Sequence, residues 1–141
     1  MTGGLDNPTG PNRKLSRDQR LTRSALFRET YAQNHSWVGR YMVLWVREAD
    51  DASLRLGVVS SKRVGGAVQR NRARRRIREA WRRLRPHFSG DVDVIFVCRG
   101  YLLRAPWENV VKEMLWLAEQ AGLIEKKDKK TAREAVLEQH Q

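Results

Sequence analysis

The sequence predicts an α+β fold, a two-layer α/β sandwich in which helices lie on a small mixed four-stranded sheet. Three observations carry that expectation. Stretches dominated by β-branched and aromatic residues read as extended at residues 37–47, 54–60 and 91–98, and Gly39 marks a bulge or a break between two short strands in the first. Stretches with apolar residues at helical spacing fall at residues 22–34, 67–85 and 106–121. The order is then helix, strands, helix, strand, helix, without an internal repeat. At 141 residues and 40% hydrophobic content, the chain suffices for one domain with a modest core and tails.

Residues 1–13 are rich in Gly, Pro, Asn and Thr and offer nothing to a core, so a disordered tail is expected there. The run up to Arg20 continues as a basic arm that could itself touch an anionic partner. In the first helix, Thr22 or Ser24 can cap the start and Asn34 can end it. Phe27 and Tyr31 stand one turn apart on one face. Along residues 40–47, Tyr41, Val43 and Trp45 alternate with Met42, Leu44 and Val46. Both faces are apolar, so both should be at least partly covered. The acidic turn at 48–53 is short, which favours antiparallel pairing of 54–60 with the strand before it. Residues 91–98 begin alternating and end as a continuous apolar run, as a central strand would. Pro106 suits the start of the last helix and Gly122 its end. Trp107, Val110, Val111, Met114, Leu117, Ala118 and Ala121 form its apolar stripe. Residues 125–141 are charged with almost no apolar periodicity, and a solvated or frayed tail is expected, leaving a domain at 14–124.

Residues 60–85 (SSKRVGGAVQRNRARRRIREAWRRLR) concentrate the charge. From Lys62 to Arg85 there are eleven Lys/Arg and one acid, Glu79, a local charge of +10 against +12 for the whole chain. At about 100° per residue, Ala73, Ile77, Ala80, Trp81 and Leu84 make one stripe that should pack on the sheet. Arg72, Arg75, Arg82, Arg83 and Glu79 point away. Arg70 and Arg74 fall close to the apolar meridian, where a buried unpaired charge is very costly. The start of the helix must therefore overhang the sheet or line a groove. Free N–H groups and the macrodipole at that end suit phosphate, and arginine suits bidentate contacts to it. The expected partner is a polyanion.

Other chemistry is sparse. His35, His87 and His140 have no metal-ligand spacing, and the single Cys98 excludes a disulfide framework or a cysteine zinc site. There is no Ser/His/Asp order, no phosphate-binding Walker loop and no nucleotide cofactor motif. Asp50, Asp51, Asp91 and Asp93 read as turn or strand-start acids that serve capping or solubility. No stretch approaches a membrane span and no hydrophobic signal core is present, so a cytoplasmic protein without membrane contact is expected. For Phe27, Tyr31, Tyr41, Val43 and Trp45 two readings stand: plain core, or a stacking platform for unpaired bases.

The run Ser61-Lys62-Arg63-Val64-Gly65-Gly66-Ala67-Val68 followed by RNRARRRIREAWR resembles the bacterial ribonuclease P protein component. The resemblance covers residues 14–124, including Arg20-Leu21, the MVLW strand and DVDVIFVCR. It implies a ribosomal-protein-like α/β sandwich with a left-handed βαβ crossover through the basic helix. It implies the protein subunit of a ribonucleoprotein endonuclease that removes the 5′ leader of precursor tRNA, with the catalytic site and Mg2+ held by the RNA subunit and no catalytic residue in the protein. Lys62, Arg63, Arg70, Asn71, Arg72, Arg74, Arg75 and Arg78 would then dock on the catalytic RNA. Phe27, Tyr31 and Trp45, with Val43 and Tyr41, would line the leader cleft. Gly66 stands where Asn is frequent in the family, Tyr31 where Phe is usual, Leu26 where an acid is common and Arg74 where a lysine occurs. The rival expectations are a non-enzymatic ribosomal or RNA-chaperone protein and a DNA-binding regulator using the basic helix in a major groove.

Overall fold

Four strands form one sheet in the order β1-β2-β4-β3 in the computed structural model, which describes residues 15–140. The expected disordered tail at 1–13 lies outside those residues. In chain order the elements are α1 (Ser24–Gln33), β1 (Ser36–Val38), β2 (Met42–Glu48), β3 (Leu56–Val59), α2 (Ala67–Leu84), β4 (Val92–Cys98), α3 (Trp107–Gln120) and α4 (Lys126–His140). Short 3-10 turns cover Arg17–Gln19, Arg85–His87 and Gly100–Arg104.

Strand pairing differs from the sequence expectation. β3 does not form a hairpin with β2. Instead β4 lies between them, antiparallel to β2 (Leu44 opposite Phe96) and parallel to β3 (Val58 opposite Phe96). The loop from 49 to 55 is short, but it turns away from β2. Leu54 takes φ 60, and its N–H donates to Val92 O at 2.6 Å. The continuous apolar character of residues 94–98 is that of the central strand it proves to be.

The β3–α2–β4 unit is a parallel crossover whose hand can be read from one residue. Val94 puts its side chain into the α2-side core, while its N–H donates toward β3, to Arg55 O at 2.9 Å. Consider the sheet seen from the α2 side with β4 running upward. An L-residue whose side chain faces the viewer directs its N–H to the right. β3 therefore lies to the right of β4, and the chain passes from right to left over the near face. That is a left-handed crossover, the rare hand for this connection.

The main core lies between this face of the sheet and α2, α3 and α4. Met42, Leu44, Val94 and Phe96 from the strands meet Ala73, Ile77, Ala80, Trp81 and Leu84, all at 0% exposure. The helical stripe read from the basic segment is thus the buried face of α2. On the other face, α1 covers part of the sheet with Leu26 and Phe27 against Ile95 and Trp45. Its N-cap is Arg23, without a side-chain cap bond, in place of Thr22 or Ser24, while Asn34 ends it in the left-handed region at φ 59.

The C-terminal stretch is not a frayed tail. It is α4, and Ala132 and Val136, one turn apart, are fully buried in the main core. The packed unit therefore extends past residue 124. Two small apolar side chains among many charges are too weak a periodic signal to show this in the sequence.

Candidate nucleic-acid interface

Gly65 and Gly66 set the start of α2. Gly65 has φ 144, which side-chain-bearing residues rarely adopt, and a Cβ there would stand 2.9 Å from Gln69 Cβ. Gly66 is the N-cap in extended conformation and supplies no side-chain cap. The first N–H groups of the helix are left facing outward, as an anion site requires.

The cations of this region divide into two sets. Toward the C-terminal half they are satisfied within the protein. Arg76 donates to Leu102 O at 2.6 Å, and Arg85 donates to Leu54 O and Ser53 O at 3.2 Å each. Arg82 and Arg83 both pair with Glu79, at 2.5 and 2.7 Å. Toward the start they are not. Among the described residues the side chains of Lys62, Arg63, Arg72, Arg75 and Arg78 make no hydrogen bond or ion pair. Arg70 reaches only Gly65 O at 3.3 Å, and Arg74 only the side-chain oxygen of its neighbour Asn71. The residues expected to dock on RNA are therefore the unneutralised set, and Arg70 and Arg74 are half-buried at the overhanging end, as their place on the helical wheel requires.

Desolvation, then the charges of Arg74 and Arg20, holds the Arg78 guanidinium below its usual pKa. Arg20 is thus close in space. It is carried there by a parallel bridge between Arg20 and Leu56, which adds the arm to the outer edge of β3. The sequence offered only a basic arm of unspecified course, so Arg20 joins the cationic surface as an addition. Like charges packed this closely without acids favour a polyanionic partner.

The opposite face of the sheet forms the second part. One row across β2, β4 and β3 is Trp45, Ile95 and Gly57, and the next is Val43, Val97 and Val59. α1 covers the first row. The Phe27 ring lies directly over Gly57, where an added Cβ would come within 2.5 Å of it. Tyr31 meets Trp45 edge to face at 5.1 Å and remains 37% exposed. The Val43–Val97–Val59 row stays half-buried beside the helix, and Val59 runs straight into Ser60 and the basic loop. Phe27, Tyr31, Val43 and Trp45 are brought together in one apolar groove that ends at the cations.

Tyr41 is not in that groove. It precedes β2, and its ring packs on the α3 side, with its hydroxyl 3.4 Å from Asn109 Nδ2. The break at Gly39 explains this. Glu113 of α3 accepts the backbone N–H groups of Arg40, Tyr41 and Met42 at 2.7, 2.7 and 3.0 Å, and its carboxyl group fills the space above Gly39, 2.5 Å from where a Cβ would stand. Strand alternation does not extend across such a turn, so Tyr41 leaves the face of Val43 and Trp45.

Asp93 also departs from the reading as a surface acid. It is fully buried and accepts from Arg47 and Arg55 at the end of the sheet away from the basic loop. Cys98 lies beneath Ser60, Arg74 and Arg78. Burial pushes its thiol up to about 11, against the opposing influence of those neighbours. Among the described residues there is no group of three or more His, Cys, Asp or Glu that could hold a metal ion, and no helix is long and apolar enough to cross a membrane.

The fold is shared with known proteins. The Ribonuclease P family model matches residues 15–122. The ribonuclease P protein component of Chloroflexus aurantiacus is 39% identical over 111 residues, covering 78% of this chain and 82% of that protein. That of Herpetosiphon aurantiacus is 35% identical over 109 residues, covering 77% and 89%. Among solved structures, the Staphylococcus aureus RNase P protein superposes with a TM-score of 0.67 at 25% identity, covering 75% of this chain and 97% of that one. The Thermotoga maritima RNase P protein gives 0.64 at 25% identity, covering 72% and 96%. A left-handed crossover that carries an arginine-rich helix, an aromatic groove on the reverse face and a match over most of the chain converge, and the chain belongs to the ribonuclease P protein family.

Proposed function

We propose that this chain docks on the catalytic RNA of ribonuclease P through the start of α2 and the preceding loop, and presents the α1–sheet groove to the 5′ leader of precursor tRNA. The observation that carries the reading is the division of the cations. Those of the C-terminal half of α2 are consumed by the fold, whereas Lys62, Arg63, Arg72, Arg75 and Arg78 have no partner and lie where the groove ends. Phosphate contacts there release counterions and relieve repulsion between two large RNAs. The groove offers ring faces and a half-buried apolar row to unpaired nucleotides, which discriminates a single-stranded leader from a folded tRNA body.

In this proposal bond cleavage and its Mg2+ belong to the RNA subunit. What the chain does is bind, orient and neutralise.

The test is cleavage of precursor tRNA in magnesium, with the protein alone, with ribonuclease P RNA alone and with both. Stimulation only when both are present, lost on joint Arg70→Ala and Arg72→Ala substitution at moderate salt, is the expected result. Cleavage by the protein alone would overturn the assignment of the chemistry.

A further inference from the structure

α4 lies beyond the residues matched by the family and takes no part in the interface described above. Its inner side places Ala132 and Val136 in the core. Lys126, Lys130 and Arg133, at i, i+4 and i+7, share another side of the helix. They line a groove against α3 together with Lys112. Among the described residues Lys126, Lys130 and Arg133 have no hydrogen-bond or ion-pair partner. Lys112 is held by Glu108 at 2.7 Å, both side chains about half exposed, a pair that contributes little in water and exchanges readily for another anion. Lys112 also lines an adjoining hollow with Tyr41 and Trp116. Trp116 is 44% exposed, although it sits on a helix whose other large apolar residues are mostly buried.

The two features form one strip: aromatic rings at one end, a row of cations at the other, joined at Lys112. A solvated helix face would account for the lysines alone. It would not account for two aromatic rings around a hollow at the end of the row. A flexible phosphodiester chain needs this combination, with ring faces for unstacked bases and cations at phosphate spacing. Duplex RNA would meet the cations but present no free base to the rings. We propose that this strip is a second RNA site, which takes an unpaired stretch of RNA with a base on Trp116 or Tyr41 and successive phosphates along Lys112, Lys126, Lys130 and Arg133. The proposal does not depend on which RNA α2 engages.

The test uses the full chain and an oligouridylate of about eight nucleotides, within the range one such surface spans. Binding is measured against salt for the parent and for the Lys126→Ala, Lys130→Ala, Arg133→Ala variant. Loss of three phosphate contacts should lower the log–log salt slope by about 2, since each contact to a single strand contributes about 0.7. Trp116→Ala should weaken binding by about tenfold, with Trp116→Phe retaining most of it. Ultraviolet cross-linking of the parent should label a peptide containing Trp116 or Tyr41. A duplex of the same length should lose slope in the triple variant but be indifferent to Trp116→Ala. An unchanged slope, absence of the cross-link, or equal sensitivity of duplex and single strand to Trp116→Ala would each overturn the site. Competition by polyglutamate as effective as by RNA would reassign the strip to an acidic protein partner. Thermal melting of each variant separates these outcomes from unfolding.

Discussion

Arg47 and Asp93 stand opposite each other on β2 and β4, and Arg47 Nη1 donates to Asp93 Oδ2 at 2.8 Å with both side chains almost wholly buried. Arg47 also reaches Glu29 of α1 at 2.9 Å and Asp51 at 2.7 Å, while Arg55 holds Asp93 from the other side at 2.7 Å. One guanidinium thus joins α1, β2, the 48–53 turn and β4, at the end of the sheet away from the basic loop. Removing Arg47 takes one of two guanidinium partners from the buried Asp93 carboxylate and unties Glu29 and Asp51 from it. Arg47→Met should therefore destabilise the fold by about 3–5 kcal/mol in urea unfolding. A cost below about 1 kcal/mol would show that Arg55 and the backbone N–H groups of Ser53 and Arg55 satisfy Asp93 without Arg47.

The same network sets an acid limit. Burial raises the pKa of Asp93, but the hydrogen bonds from Arg55 and from the N–H groups of Ser53 and Arg55 outweigh it and hold the carboxyl below its usual range. A depressed carboxylate contributes stability above its unfolded pKa of about 3.9, and that contribution is lost as pH falls through the lower folded value. Stability should decline from roughly pH 4 downward, and Asp93→Asn should flatten that part of the profile. A profile identical in the two proteins would place the acid limit elsewhere.

The division of the basic residues predicts two classes of arginine variant. Arg72→Ala, Arg75→Ala and Arg78→Ala together should reduce the salt slope of binding to structured RNA by between about 2 and 3, at about 0.9 per phosphate, with little change in the melting temperature. Arg76→Ala and Arg85→Ala should do the reverse. Each removes bonds to backbone carbonyls, those of Leu102, Leu54 and Ser53, and should cost about 1–3 kcal/mol of stability while leaving the slope unchanged. Equal slope losses for both sets would mean that the fold does not sequester the second.

Much of this arrangement is written locally in the chain. The α2 stripe of Ala73, Ile77, Ala80, Trp81 and Leu84 follows from helical period alone, and the overhang of Arg70 and Arg74 follows from the cost of burying charge. Strand order is different. Whether residues 54–60 pair with β2 or β4 depends on β4, more than thirty residues later in sequence, displacing the hairpin. Local loop length points to the wrong neighbour. Tyr41 fails for a related reason: a carboxylate from α3, Glu113, holds the turn that takes it off the strand face, and only the tertiary fold brings Glu113 there. Asp93 looks like a strand-start acid until Arg47 and Arg55 are placed beside it.

In the groove, Gly57 is the residue that lets the Phe27 ring approach the sheet closely. Gly57→Ala would place a Cβ 2.5 Å from the Phe27 ring, and the ring must move. Overpacking of this kind costs about 1–3 kcal/mol. The functional effect should be selective. Binding of precursor tRNA should fall more than binding of leaderless tRNA, as it should for Phe27→Ala and Tyr31→Ala. Equal losses for both RNAs would make Phe27 and Tyr31 simple core residues.

α4 gives the last prediction. Val136 is fully buried against the main core, although the surrounding sequence is almost entirely polar. If the helix is an integral part of the domain, Val136→Ala removes buried methyl groups and leaves a small cavity, lowering stability by about 2 kcal/mol. The urea midpoint should shift with an unchanged m-value, because the surface exposed on unfolding is nearly the same. Leu137, one position on and only partly buried, should cost less on truncation to alanine. Were the segment a solvated tail, both substitutions would fall within about 0.5 kcal/mol of the parent, as surface changes do. A shift for Val136 well above that for Leu137 identifies the register with which α4 seats against the core.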